Sequence, residues 1–223
     1  TEFSRSILEP LLPRGLKISV LLNPINVAEK TCAAPATSDT FTYIGRFSRE
    51  KGVLVLAEAA RREGLKIVFV GDGELADEIR TVNPDAEVTG WLSPSQVQDR
   101  IAASRCVVVP SLWRETQGMV LQEAFAAGIP VIASSGTALA AALQPGTTGL
   151  VFENGSVDSL CATLRTAANN DVLVASMGQA AYQAHWAAPP TLDRHVDNLL
   201  AAYQSALVEF APGLSEGGAV TTS

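Results

Sequence analysis

Along this chain, short apolar runs alternate with stretches whose apolar residues recur at helical spacing. The runs are Phe41 to Ile44, Ile67 to Val70, Val107 to Val109 and Val131 to Ala133, with a shorter one at Glu87 to Thr89. They are rich in β-branched residues and too short for helices, so each predicts a strand. Between them, Val53, Leu54, Leu56, Ala57 and Ala60 fall on one helical face. So do Leu75 to Ile79, Val97 to Ile101, and Val120, Leu121, Ala124 and Phe125. Strands alternating with helices of this length specify an α/β fold, a parallel sheet with helices on both faces.

The two ends break the alternation. Residues Thr1 to Leu12 predict a short amphipathic helix, stopped by Pro13-Arg14-Gly15. A strand is expected at Lys17 to Leu22, ending at Asn23-Pro24, and then a polar connector or exposed loop from Ala28 to Asp39. Val157 to Val208 is expected to be mostly helical, with Pro189-Pro190 as an interruption. The Gly-, Ser- and Thr-rich tail from Pro212 to Ser223 has the composition of disorder. The expected division is a leading helix and linker over residues 1–16, one domain over 17–208, and a tail over 209–223.

Composition narrows the classes. Of 223 residues 47% are apolar, enough for a large core, and the net charge of -7 argues against a nucleic-acid partner. A small anion site is still compatible, because it needs only a few local cations. No run approaches the ~18 consecutive apolar residues of a membrane span, and no cleavable signal opens the chain. Cys32, Cys106 and Cys161 are odd in number and widely spaced, which fits reduced thiols and a cytoplasmic setting. His185 and His195 carry no thiol or carboxylate pattern around them, so no metal site is expected.

In an open parallel sheet, ligands bind beyond the carboxyl ends of the strands. The loops leaving those ends are therefore the informative segments. After Ile44 comes Gly45-Arg46-Phe47-Ser48-Arg49-Glu50-Lys51-Gly52, after Val70 comes Gly71-Asp72-Gly73-Glu74, and after Thr89 comes Gly90-Trp91-Leu92. Pro110-Ser111-Leu112-Trp113-Arg114-Glu115-Thr116-Gln117-Gly118 leads on from Val109, and Ser134-Ser135-Gly136 from Ala133. Gly118 immediately precedes a predicted helix, whose first amides and positive potential suit an anion. Arg46 and Lys51 add full charges, and together these groups can hold a diphosphate without a metal. Glu115 and Glu123 flank that site, and a carboxylate can accept two hydrogen bonds from a vicinal diol. A ligand with both phosphates and sugar hydroxyls is the expectation.

These residues resemble the C-terminal domain of glycosyltransferase family 4, whose enzymes have the GT-B fold of two facing Rossmann-like domains. The resemblance rests on the loop from Gly45 to Gly52, on Val70-Gly71-Asp72-Gly73-Glu74, and on Pro110-Ser111 through Glu115-Thr116-Gln117-Gly118-Met119-Val120-Leu121-Gln122-Glu123-Ala124. It continues into Ala126-Ala127-Gly128-Ile129-Pro130-Val131-Ile132-Ala133, and the family's two glutamates separated by seven residues fall on Glu115 and Glu123. It implies a retaining transfer from a nucleoside-diphosphate sugar in polysaccharide or glycoconjugate biosynthesis, with no cofactor and no metal. Arg46, Lys51 and Glu115 are the implied catalytic groups. The cations meet the diphosphate, Glu115 meets hydroxyls of the transferred sugar, and Glu123 holds the ribose. Gly45, Gly71, Gly73, Gln117, Gly118, Met119 and Val120 are implied around sugar and phosphates, with Trp91 and Leu92 as the nucleobase wall. Gln117 stands where an aromatic is common, and Trp113-Arg114 enlarge the loop before Glu115.

The resemblance also implies an N-terminal acceptor domain, outside these residues, with any peripheral membrane contact placed there. A fragment without that domain is expected to be inactive. Thr1 to Leu12 resembles the last helix of that domain, and Leu192 to Leu207 the helix that crosses back to it. Two other readings compete. Gly71-Asp72-Gly73-Glu74-Leu75-Ala76 satisfies the G-x-G-x-x-A of dinucleotide-binding folds, but it comes after the second strand, not the first. The acid expected ~20 residues on is replaced by Trp91. A sugar-nucleotide-binding module without turnover would carry the same donor site, and restored transfer on coexpression with the missing half separates it from an enzyme.

Overall fold

The computed structural model describes residues 1–29 and 31–210, and the expected tail from Pro212 to Ser223 lies outside them. Its centre is a six-stranded, all-parallel sheet in the order β3-β2-β1-β4-β5-β6. The strands are β1 (Thr40–Ile44), β2 (Lys66–Val70), β3 (Glu87–Gly90), β4 (Cys106–Val109), β5 (Val131–Ser134) and β6 (Gly149–Phe152). Helices α2 (Val53–Glu63), α3 (Ala76–Val82), α4 (Pro94–Ala102), α5 (Met119–Ala127) and α6 (Ala138–Ala142) connect successive strands. Helices α7 (Val157–Ala168), α8 (Asp171–Ala187) and α9 (Leu192–Phe210) come after the sheet, and α1 (Glu2–Leu8) precedes it.

Side chains alternate across each strand and so build two cores. Phe41, Tyr43, Phe69, Cys106, Val108 and Ile132 point to one face, where Leu56 of α2 and Leu160 and Leu164 of α7 cover them. Val107, Val109, Val131 and Ala133 point to the other, against Leu121 and Phe125 of α5 and Ala181 of α8. With both faces covered, the strands read as continuous apolar runs, and this makes them visible in the sequence.

One expectation is corrected. Lys17 to Leu22 is irregular backbone, because a strand requires a neighbour to satisfy its amides and the sheet is drawn wholly from residues 40–152. Its end is instead fixed by His195, whose Nδ1 lies 2.7 Å from the Leu22 carbonyl. The stretch from Ala28 to Asp39, expected as a connector or an exposed loop, is a connector whose described residues alternate between exposed and packed positions. Its short 3-10 turn, Pro35–Thr37, buries Pro35, and Ala33 N–H donates to the Ala127 carbonyl at 2.9 Å. Arg105, 4% exposed, ties this connector to the sheet. Its guanidinium donates to the carbonyls of Ala36 (3.3 Å), Ser38 (3.0 Å) and Ala167 (2.8 Å) and pairs with Asp171 at 2.6 Å.

Candidate functional site

The strand order reverses direction between β1 and β4, so the loops leaving these two strands diverge and open a crevice. One loop is Gly45 to Gly52, the other Pro110 to Gly118. They are fastened to each other below the opening. The Glu50 carbonyl accepts from the N–H of Leu112 at 2.8 Å and of Trp113 at 3.3 Å, and a Cβ on Gly52 would lie 2.0 Å from the Pro110 carbonyl oxygen.

The crevice has a volume of about 360 Å³ and is lined by Tyr43, Ile44, Gly45, Arg46, Lys51, Val109, Ser111, Glu115, Gly118, Met119, Val120 and Glu123. Both predicted cations and both predicted acids are therefore in one cleft. Lys51 Nζ lies 2.7 Å from Glu115 Oε1, with the two side chains 29% and 17% exposed. Ser111 Oγ donates to the same carboxylate oxygen at 2.5 Å. Arg46 is held more loosely, at 3.5 Å from Glu50, with its side chain 68% exposed. An exposed pair of this kind contributes little, so the guanidinium is available to a stronger partner.

Gly118 caps α5 at the floor of the cleft. Its φ of +66° is left-handed, and a Cβ there would lie 2.5 Å from the buried Leu139, so backbone geometry and packing both demand glycine. The turn delivers the unpaired first amides of α5 to the cavity. One turn further on, Glu123 is half-buried, and among the described residues no hydrogen bond or ion pair holds its carboxylate. Burial pushes its pKa up, the expected response of a carboxylate that has lost water and gained no donor.

Four lining residues were not anticipated: Ile44 and Val109, which end β1 and β4, and the polar Tyr43 and Ser111. Tyr43 is 2% exposed, and its hydroxyl donates to the Arg46 carbonyl at 2.8 Å, pinning the turn that carries the cation. Burial, and then the negative charges of Glu115 and Glu50, push this phenol up. Its place within an apolar run made it look like core. Ser111, two residues past β4, stood out only as part of a motif. A serine four positions before an acid was the available signal; its burial, 1% exposed, shows only in the structure.

Some expected residues are not brought in. Gly71 and Gly73 do not line the cleft. A Cβ on Gly71 would lie 2.0 Å from the Gly45 carbonyl oxygen, and one on Gly73 2.4 Å from that of Phe47. They let the β2 loop press on the backbone of the β1 loop, which positions Arg46 from behind. The G-x-G-x-x-A match is thus a packing device after β2, away from the switch point. Trp91 and Leu92 also lie off the cleft lining, with Trp91 75% exposed. The Gln117 side chain faces away, exchanging hydrogen bonds with the Asn23 backbone at 2.8 and 3.0 Å.

Strand order, covered faces and a cleft at the switch point define a Rossmann-like domain of the GT-B kind. The chain belongs to the glycosyl transferases group 1 family, whose profile matches residues 28–184. It is 36% identical over 111 residues to a GDP-mannose-dependent alpha-mannosyltransferase of Mycolicibacterium smegmatis, covering 50% of this chain and 29% of that protein. It is 33% identical over 204 residues to a D-inositol 3-phosphate glycosyltransferase of Mycolicibacterium paratuberculosis, covering 82% and 44%. The chain thus spans less than half the length of these curated relatives. The crystal structure of S. aureus TarM in complex with fondaparinux, alpha-GlcNAc-glycerol and UDP superposes with a TM-score of 0.77 at 19% identity, over 90% of this chain and 42% of that one. Among the described residues, no helix is long and apolar enough to cross a membrane.

Proposed function

We propose that this chain supplies the donor-binding half of a retaining glycosyltransferase that takes a sugar from a nucleoside diphosphate. The observation that carries the reading is the convergence of Lys51, Arg46, Glu115, Glu123 and the N-terminus of α5 on one cleft at the β1/β4 switch point. Departure of the nucleotide builds negative charge on the leaving phosphate, and fixed cations and amides aimed there lower the barrier. Lys51, Arg46 and the amides from Gly118 to Val120 supply that term. Glu123, whose carboxylate has no protein donor among the described residues, accepts the ribose hydroxyls, and Glu115 those of the sugar. The relatives' names point to the same ligand class: one depends on GDP-mannose, and one structure holds UDP. The acceptor belongs to a further domain of a longer protein. The apolar stripe of Leu192, Val196, Leu200, Tyr203 and Leu207, exposed along α9, supports its packing there.

Calorimetric titration with UDP and GDP tests the assignment. The native chain is expected to bind one of them, and Lys51→Ala to weaken it strongly. In the full-length enzyme, the same change should remove roughly 2 to 4 kcal/mol of transition-state stabilisation and abolish transfer. Undiminished binding and turnover in the variant would refute the role.

A further inference from the structure

We infer that Glu115 makes the cleft discriminate between a nucleoside diphosphate that carries a sugar and one that does not. The inference rests on the donor-site reading above and deepens it. Glu115 is anchored through Ser111. Its carboxylate takes a 2.5 Å hydrogen bond from Ser111, and Ser111 is gripped in turn, its carbonyl accepting from the Ser134 hydroxyl and, at 3.4 Å, from the Asn154 amide. The same amide reaches the Leu112 carbonyl at 3.4 Å, so the loop after β6 braces the loop that carries the acid.

The anchored carboxylate sits 2.7 Å from the Lys51 ammonium, the group assigned to the diphosphate. A phosphate approaching Lys51 therefore meets the negative charge of the carboxylate that Lys51 already holds, which Ser111 also binds. Around the cleft stand two cations, Arg46 and Lys51, with Glu115 and Glu123 on the lining and Glu50 beside Arg46. Free nucleoside diphosphate presents a terminal phosphate with its full charge, and Glu115 repels it while competing for Lys51. A glycosyl ester at that phosphate removes one ionisable oxygen and brings hydroxyl donors, which turn the same carboxylate from a repulsive neighbour into an acceptor. Donor is retained and spent nucleotide is released through one side chain.

The signature is a pair of opposite effects that a merely structural role does not produce. Native chain, Glu115→Gln and Glu115→Ala are titrated with UDP, GDP, UDP-glucose and GDP-mannose, with circular dichroism of each variant to verify folding. Both variants should bind the free diphosphate roughly tenfold tighter than native chain, the scale of removing one like charge a few ångströms away in a half-buried site. The gain should shrink as ionic strength rises, and the added affinity contributed by the sugar should fall. Variants that bind free diphosphate no tighter than native chain overturn the inference while leaving the donor site standing. A native chain that binds none of the four ligands overturns both.

Discussion

Gly118 links the core to the cleft, and replacing it by alanine measures that link. A left-handed φ costs an L-residue roughly 1 to 2 kcal/mol. The new methyl would also sit 2.5 to 2.7 Å from three atoms of Leu139, a side chain 0% exposed, and such overpacking costs a further ~1 to 3 kcal/mol. Gly118→Ala should therefore lose roughly 2 to 5 kcal/mol, a large share of an ordinary domain's stability. Leu139→Ala alone creates a cavity at a comparable cost, roughly 2 to 5 kcal/mol. In the double variant the methyl at 118 occupies space that Leu139 vacates. The clash disappears, part of the cavity is filled, and only the backbone strain persists. Urea denaturation monitored by circular dichroism, with unchanged m, should thus show the pair less destabilised than the sum by ~1 to 3 kcal/mol. UDP or GDP binding should weaken in Gly118→Ala as the first turn of α5 shifts. Costs that add to within ~0.5 kcal/mol would refute the packing argument.

Arg105→Met should cost roughly 3 to 5 kcal/mol, because it strips a buried donor from three carbonyls; a change below ~1 kcal/mol in a urea melt would count against the clasp. His185 is 3% exposed, with Nδ1 3.0 Å from Gln122 and Nε2 buried with no hydrogen-bond partner among the described residues, and burial holds its pKa below the usual imidazole value. Its stabilising contribution is complete above the unfolded pKa of ~6.5 and is lost as pH falls through the lower folded value, because the unfolded chain binds the proton first. Glu123, raised by burial, acts with the opposite sign, so the native chain should be compared with His185→Gln at pH 7.5 and 5.5. A stability gap that does not change with pH would rule out the histidine as its source.

Four strands were legible because each is an apolar run covered on both faces. β3, at the sheet edge with no fully buried residue, gave only a shorter signal, and β6 was not legible, for a physical reason. Gly149 opens it and leaves only Leu150, Val151 and Phe152 as an apolar signal, yet a Cβ there would lie 2.1 Å from the Val131 carbonyl oxygen. The residue that hides the strand is the one its pairing with β5 requires. Lys17 to Leu22 shows the converse, an extended pattern with no strand beside it. The cleft's charged groups could be named from loop positions alone. The contact between Lys51 and Glu115 could not, since it spans 64 residues and depends on β1 and β4 being neighbours. Gly71 and Gly73 abut the Gly45 and Phe47 backbones, a contact the loop sequence could not show, because close approach to a phosphate and to another backbone demand the same residue.

The two walls of the cleft are riveted by the Glu50 carbonyl and by the abutment of Gly52 on Pro110. Spreading them would break two hydrogen bonds and unseat both turns, so widening the slot carries a cost that adding or removing a lining side chain does not. The wall after β4 continues directly into Trp113 and Arg114, both exposed, where a substitution leaves these fastenings untouched. Changing the ligand preference proposed for the cleft is thus a matter of side chains set on these walls, not of moving the walls.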